Sequence, residues 1–267
     1  VNYELTKQSL IEFFKYQGAG NDFILLDDRE GDVLPGMDQG TIAELCDRHF
    51  GIGADGLMLL RRHAEYDFEM LYYNSDGAPS SMCGNGGRCI VRFAHYLGIR
   101  REVYHFLAVD GPHRAVLLPS GNVSLEMNDV TSVHQATPDA FVLDTGSPHY
   151  VTLAHDPLQV NVNVEGRRIR QAAPFGINVN FIRINGPEIT IATYERGVEG
   201  ETLACGTGVT AAAIVATLQT ASATEGPFQW VVRAKGGVLS VRGRYANGIF
   251  TDLWLEGPAV KVFSGVI

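Results

Sequence analysis

The chain has 267 residues, 45% hydrophobic and 19% charged, a mixture that suits one large or two modest globular domains and excludes disordered, coiled-coil and collagen-like chains. Thirty Asp and Glu against 21 Lys and Arg give a net charge of −9, so neither nucleic acid nor an anionic membrane is the expected partner. Four cysteines are too few for a disulfide scaffold, whereas 30 glycines exceed the ordinary share of about 7% and call for an explanation.

The elements follow in chain order. Residues 13–16 and 23–26 are short apolar runs around Gln17-Gly18-Ala19-Gly20-Asn21-Asp22, which predicts a hairpin. Residues 39–48 read as a peripheral amphipathic helix, and 68–73 as a strand ended by Asn74-Ser75-Asp76-Gly77. A helix is expected over 84–97, carrying Ile90, Val91, Phe93, Ala94 and Leu97. Strands are expected at 103–109, 115–118, 123–127, 141–143, 150–153, 181–184 and 189–194. A second helix, 207–218, is apolar or small on every side, so it must be buried; it is too short to span a bilayer. Strands at 230–233, 238–241, 250–255 and 259–263 complete the chain. Spacing of roughly ten residues favours antiparallel or mixed sheets over βαβ repeats. Residues 1–15 lack the basic-then-apolar run of a secretory leader, and no apolar stretch is long enough for a membrane helix. A cytoplasmic protein with reduced thiols is the expectation.

The two prominent helices open alike. Met82-Cys83-Gly84-Asn85-Gly86-Gly87-Arg88-Cys89 begins the first, and Ala204-Cys205-Gly206-Thr207-Gly208-Val209 begins the second. The repeat of Cys-Gly-x-Gly before a buried helix, about one small domain apart, predicts two pseudo-symmetric α/β (α+β) lobes. Each is a curled, mixed or antiparallel sheet around a central helix. The boundaries are 1–128 and 129–255, with the last strand, about 256–267, a candidate to return to the first lobe.

A cysteine just before a helix sits beside unpaired N–H groups at the positive end of the dipole. That position lowers a thiol pKa, and the flanking glycines let backbone amides approach an anion. If the lobes face each other, both amide sets can hold one carboxylate, with a sulfur on either side of the adjacent carbon. This predicts racemisation or epimerisation by two bases, Cys83 and Cys205. Cys46 and Cys89 lack the Gly-x-Gly partner and read as buried packing residues. Zinc is disfavoured because the chain has no Cys-x-x-Cys, and no metal site is expected. A redox disulfide between Cys83 and Cys205 stays as the competing reading.

Several segments carry a family resemblance. They are Phe14-Lys15-Tyr16-Gln17-Gly18-Ala19-Gly20-Asn21-Asp22-Phe23, Cys46 to Gly56, Tyr73 to Gly77 with Met82 to Cys89, Gly146-Ser147-Pro148-His149, Asn178-Val179-Asn180-Phe181, and Tyr194-Glu195-Arg196-Gly197 leading to Cys205. Together they resemble the diaminopimelate epimerases. The resemblance implies that family's two-lobed fold and cofactor-independent conversion of LL- to meso-diaminopimelate, on the route to lysine and peptidoglycan precursors. It places Cys83 and Cys205 as the catalytic pair, with His149 and Glu195 supporting protonation. It also places Asn21, Asn74, Gly84, Asn85, Asn178, Glu195, Arg196, Gly206 and Thr207 against the substrate. A small-molecule substrate, no cofactor, no metal, no nucleic acid and no membrane are implied, with a homodimer possible. A related two-cysteine amino-acid racemase is the alternative. Two departures stand out: Ser147 where many members have Asn, and one extra residue between Arg196 and Cys205.

Overall fold

The computed structural model describes residues 10–80, 82–173, 176–220 and 225–267, so the opening residues read above for a leader lie partly outside it. In chain order the elements are β1 (Glu12–Gly18), β2 (Asn21–Asp27), α1 (Gln39–Cys46), β3 (Gly56–Arg61), β4 (Phe68–Asn74), α2 (Gly84–Tyr96), β5 (Tyr104–Ala108), β6 (Gly111–Leu117), β7 (Val123–Glu126), β8 (Val133–Thr137), β9 (Ala140–Asp144) and β10 (Pro148–Leu153). Then come α3 (Val162–Ala172), β11 (Asn178–Asn185), β12 (Glu188–Glu195), β13 (Gly200–Thr202), α4 (Gly206–Gln219), β14 (Gly226–Ala234), β15 (Gly237–Ala246), β16 (Ile249–Gly257) and β17 (Val260–Val266). The β1–β2 hairpin turns on Ala19-Gly20 alone, with φ of +54° and +86°. Paired positive φ values match the twist of a two-residue hairpin. Asn21 and Asp22 therefore belong to β2, not to a loop.

The strand pairings run in one line, β17-β1-β2-β3-β4-β5-β6-β7 and then β16-β15-β14-β12-β11-β10-β9-β8, with β13 added to β12. The two stretches match. Parallel pairs fall at β2–β3 and β4–β5 in the first, and at β10–β11 and β12–β14 in the second. In each, the helix bridging the first parallel pair lies outside and the helix bridging the second lies inside. α1 covers Ile24, Leu26, Leu57 and Leu59, and α3 covers Val179, Phe181, Ala192 and Tyr194. α2 fills the core with Phe14, Phe23, Leu25, Met58, Phe68 and Phe106; α4 fills the other with Val151, Ile182, Ile191, Trp230 and Val241. The short Cys-Gly-x-Gly repeat thus belongs to a repeat of the whole topology.

The inner helices are buried for different reasons. α4 is built from small residues that let strands approach on all sides, and its buried threonines stay satisfied. Thr210 donates to the Gly206 carbonyl at 3.1 Å and Thr217 to that of Ala213 at 2.9 Å. α2 carries the fully buried Arg88, whose guanidinium donates to the Gly84 carbonyl (3.1 Å) and to Asn85 Oδ1 (2.8 Å). The terminal strand β17 pairs antiparallel with β1, while β16 pairs with both β7 and β15 and joins the two stretches.

The structure adds β3, β8, β13 and α3 to the elements expected from sequence. β3, Gly-Leu-Met-Leu-Leu-Arg, is buried on both faces and so shows no alternation. α3 is masked by the alternating Val160-Asn161-Val162-Asn163-Val164 run and by Gly166, which reads as a helix breaker. Gly166 is there for space: a Cβ at this position would lie 2.4 Å from Tyr194 Cβ. Asn161 caps the helix by accepting from the Val164 N–H.

Candidate active site

Both inner helices begin at a cysteine, and the two beginnings meet. Cys83 and Cys205 are the N-cap residues of α2 and α4, each with extended backbone. A Cβ placed on Gly206 would come 3.4 Å from Gly84 Cα and 3.0 Å from Leu255 Cδ2; one on Gly84 would come 3.6 Å from Gly206 Cα and 3.3 Å from Leu255 Cδ2. The first glycine of each motif is thus a mutual contact, with Leu255 of the shared strand β16 behind both. A helix start carries unpaired N–H groups and the positive end of a dipole, so two that meet favour an anion between them. Asn85 ties the halves together: its Nδ2 donates to the Ala204 carbonyl at 3.0 Å and reaches Asn21 Oδ1 at 3.4 Å.

The sulfurs have different partners. Cys83 Sγ accepts from the Gly86 N–H at 3.2 Å and faces Asn21 Oδ1 at 3.8 Å. Asn21 is oriented by Asp55, which accepts from its Nδ2. Asp55 and Asp22 are in turn held by Arg48, at 2.8 and 2.6 Å, and Lys15 pairs with Asp22 at 2.8 Å. Cys205 Sγ lies 3.4 Å from Thr207 Oγ1. Thr207 Oγ1 is 2.9 Å from His149 Nε2 and 3.3 Å from Ser147 Oγ.

The helix-start argument predicted acidic thiols, and the structure corrects it. Burial pushes the Cys83 thiol up to about 11 and the Cys205 thiol up to about 12, with the Glu195 carboxylate adding to both. Desolvation outweighs the N–H groups at both sulfurs. Glu195 itself is raised by burial and by Asp55, against a 2.9 Å bond from Thr202 Oγ1. His149 is fully buried, and burial together with the Arg196 charge lowers it to about 3, so the ring is neutral at ordinary pH.

The remaining candidates divide into groups. Glu195 ends β12 and Arg196 follows it, exposed and without an ion pair among the described residues. Asn178 spends its amide inside the protein, donating to Ser147 Oγ (2.9 Å) and the Pro148 carbonyl (3.1 Å) and accepting from the Arg196 N–H (2.9 Å). It is therefore a brace for Ser147 and Arg196. Asn74 ends β4, opposite Gly56, and its backbone closes the 74–78 turn. Ser147 joins the His149–Thr207 cluster at 3.1 Å from Nε2. Between Arg196 and Cys205 the chain makes a tight turn, where the Glu199 N–H donates to the Glu195 carbonyl at 2.9 Å and Glu199 takes a φ of +55°. Cys46 and Cys89 lie in hydrophobic cores, and all four cysteines are free.

Three residues entered no candidate list from sequence. Asn180 is wholly buried beside His149, Asp55 orients Asn21, and Tyr72 lies close enough to Cys83 and Glu195 that burial and their charges raise its phenol. For Asn180 a signal existed. It stands two residues from Asn178 on a strand, hence on the same face.

Among the described residues no helix is long and apolar enough to cross a membrane. Among solved structures the chain is similar to a phenazine biosynthesis protein of Bacillus anthracis (TM-score 0.75, 12% identity, 97% of this chain and 99% of that one). It is also similar to a hydroxyproline epimerase of Agrobacterium vitis (TM-score 0.67, 15% identity, 98% and 93%). At these identities the likeness concerns the fold. Sequence relatives are nearer. A diaminopimelate epimerase of Flavobacterium psychrophilum is 44% identical over 96% of this chain and 100% of its own length. One of Chlorobaculum tepidum is 41% identical over 94% and 98%. The diaminopimelate epimerase profile matches residues 13–138 and 141–253. Two cysteine-capped helices that meet at paired glycines, inside a fold shared with epimerases and under a profile spanning nearly the whole chain, place this chain in the diaminopimelate epimerase family.

Proposed function

We propose that this chain epimerises LL-2,6-diaminopimelate to meso-diaminopimelate without a cofactor, using Cys83 and Cys205 as the two bases. The observation that carries this reading is the contact of the two cysteine-capped helix starts at Gly84 and Gly206. The substrate's reacting carboxylate sits over both sets of free N–H groups, which stabilise the charge that develops when the α-proton leaves. One sulfur, as thiolate, takes that proton: the C–H bond breaks and an S–H bond forms. The opposite thiol gives its proton to the other face of the same carbon, and electrons and protons balance with no redox change. A bound substrate ammonium favours the thiolate that burial opposes.

In the same reading Glu195 and the exposed Arg196 grip the charged groups at the distal end, with Asn21 and Asn74 along the wall. His149 supports the Cys205 side, while Asn178 acts mainly by holding Arg196. The two lobes would comprise 1–128 with the last strand, and 129–255. A cytoplasmic place in lysine and peptidoglycan-precursor synthesis, and a homodimer, complete the proposal.

The test is incubation of the reduced protein with LL-diaminopimelate in deuterated water without added cofactor. Exchange of the α-hydrogen and appearance of the meso isomer are expected; absence of both with fresh reductant refutes the proposal. Cys83→Ser and Cys205→Ser abolish turnover, and Cys46→Ser preserves it.

A further inference from the structure

Asn180 lies under the first turn of α4 and is fully buried. Its amide has one permissible orientation. Nδ2 is 3.3 Å from the Tyr150 carbonyl, which only accepts, and Oδ1 accepts from Thr193 Oγ1 at 3.0 Å. Nδ2 therefore also faces His149 Nδ1, at 3.0 Å, as a donor. A nitrogen that accepts carries no proton, so the proton of the neutral ring is on Nε2. Nε2 is 2.9 Å from Thr207 Oγ1 and 3.1 Å from Ser147 Oγ. Thr207 Oγ1 is the nearer of the two and Ser147 Oγ also accepts from Asn178, so the ring N–H goes to Thr207. With that lone pair filled, the Thr207 hydroxyl proton is free to point at Cys205 Sγ, 3.4 Å away, where a thiolate is the strongest acceptor within reach.

The helix makes room for this chain of contacts. A Cβ at Gly208 would lie 2.4 Å from Asn180 Oδ1. The second glycine of the Cys205 motif is thus required by Asn180. Its counterpart Gly86 has a different neighbour, Met58.

We propose that Asn180 is a positioning residue for the reaction: it holds His149 as the Nε2–H tautomer, which donates to Thr207 and turns the Thr207 hydroxyl proton onto the Cys205 sulfur. The inference rests on the reading of Cys205 as one of the two bases. It makes the two thiols unlike: beside Cys205 a backbone N–H is joined by Thr207, His149 and Asn180 in series, whereas Cys83 accepts from the Gly86 N–H and faces Asn21.

The first measurement is the 15N spectrum of the protein with labelled histidine, His149 being identified by its loss in His149→Gln. A protonated Nε2 and an unprotonated Nδ1 are expected; the reverse tautomer overturns the proposal whatever the activity. The second is a double-mutant cycle. In Asn180→Asp the carboxylate draws the ring proton to Nδ1, and Nε2 then takes the Thr207 proton away from the sulfur. kcat for epimerisation is expected to fall about tenfold or more, the worth of one charge-assisted hydrogen bond, with KM changed less than about twofold. In a Thr207→Val background, which keeps the backbone amide, Asn180→Asp is expected to have no further effect on kcat. Independent, multiplying losses would show that Asn180 acts by packing or by charge and would overturn the proposal. If Asn180→Asp does not fold, the wild-type tautomer decides alone. Failure of the wild-type exchange reaction would remove the proposed function and leave the tautomer measurement standing.

Discussion

Gly206→Ala tests the contact on which the site depends. The added methyl group would stand 3.0 Å from Leu255 Cδ2 and 3.4 Å from Gly84 Cα, where carbon atoms pack at about 3.5–4.0 Å. The helix starts must therefore separate, or Leu255 retreat, by about 0.5–1 Å. Overpacking of this kind costs about 1–3 kcal/mol. Alanine returns up to about 1 kcal/mol of helix propensity, leaving a net loss of about 0–2 kcal/mol. For a chain of this length the unfolding entropy is about 0.56 kcal/mol/K, so Tm falls by at most about 4 °C. Catalysis is the sharper readout, because a 1 Å misplacement costs about 100-fold. kcat is expected to fall about 10- to 100-fold in the coupled epimerisation assay, with the protein folded at assay temperature. Gly84→Ala, with looser contacts of 3.3 and 3.6 Å, is expected to lose less. Trimming the obstacle with Leu255→Val in the Gly206→Ala protein restores part of kcat. Unchanged kcat in Gly206→Ala, or no recovery with Leu255→Val, would refute the view that the glycines set the geometry of the anion site.

Other expectations follow from the same contacts. Asn85→Ala removes the bond to the Ala204 carbonyl and one acceptor of the buried Arg88 guanidinium. A loss of about 2–4 kcal/mol is expected from thermal or denaturant unfolding, and a loss under about 0.5 kcal/mol would mean that water replaces both partners. His149 takes no proton in the folded protein until about pH 3, whereas its ordinary value is 6.5. The folded state is the poorer proton binder between those limits, so its stability falls as pH drops through that window. In His149→Gln the acid limb of a stability–pH curve should flatten there. The thiols behave oppositely. Burial raises Cys46 and Cys83 to about 11 and Cys89 and Cys205 to about 12, from 9.0. Their contribution is complete below pH 9 and is lost as pH rises through the folded values, which alkaline unfolding of the cysteine-to-alanine variants would measure.

The family and the architecture were legible in the sequence because they are written in contiguous motifs. Cys-Gly-x-Gly before a buried helix specifies a helix start, a thiol and open backbone within four residues, and its recurrence at Cys83 and Cys205 announced two matched halves. The all-round apolar helix after Cys205 and the short strands about it carried the architecture in their periodicity. Even there, local signals failed where burial was complete on both faces, as in β3, or where a valine–asparagine alternation imitated a strand, as at α3.

Tertiary structure decided whatever depends on residues brought together from distant parts of the chain. Why the first glycines are glycines became visible only when Gly84 and Gly206 met over Leu255 of β16. The acidity that a helix start confers on a thiol was reversed by desolvation, a property of the surroundings that no motif encodes. Asn178, a wall residue by resemblance, turned out to brace Arg196, while Asn180, two residues away, faces the histidine behind Cys205. The sequence names the two cysteine-capped helix starts; packing settles how closely they approach and how far each sulfur is removed from water.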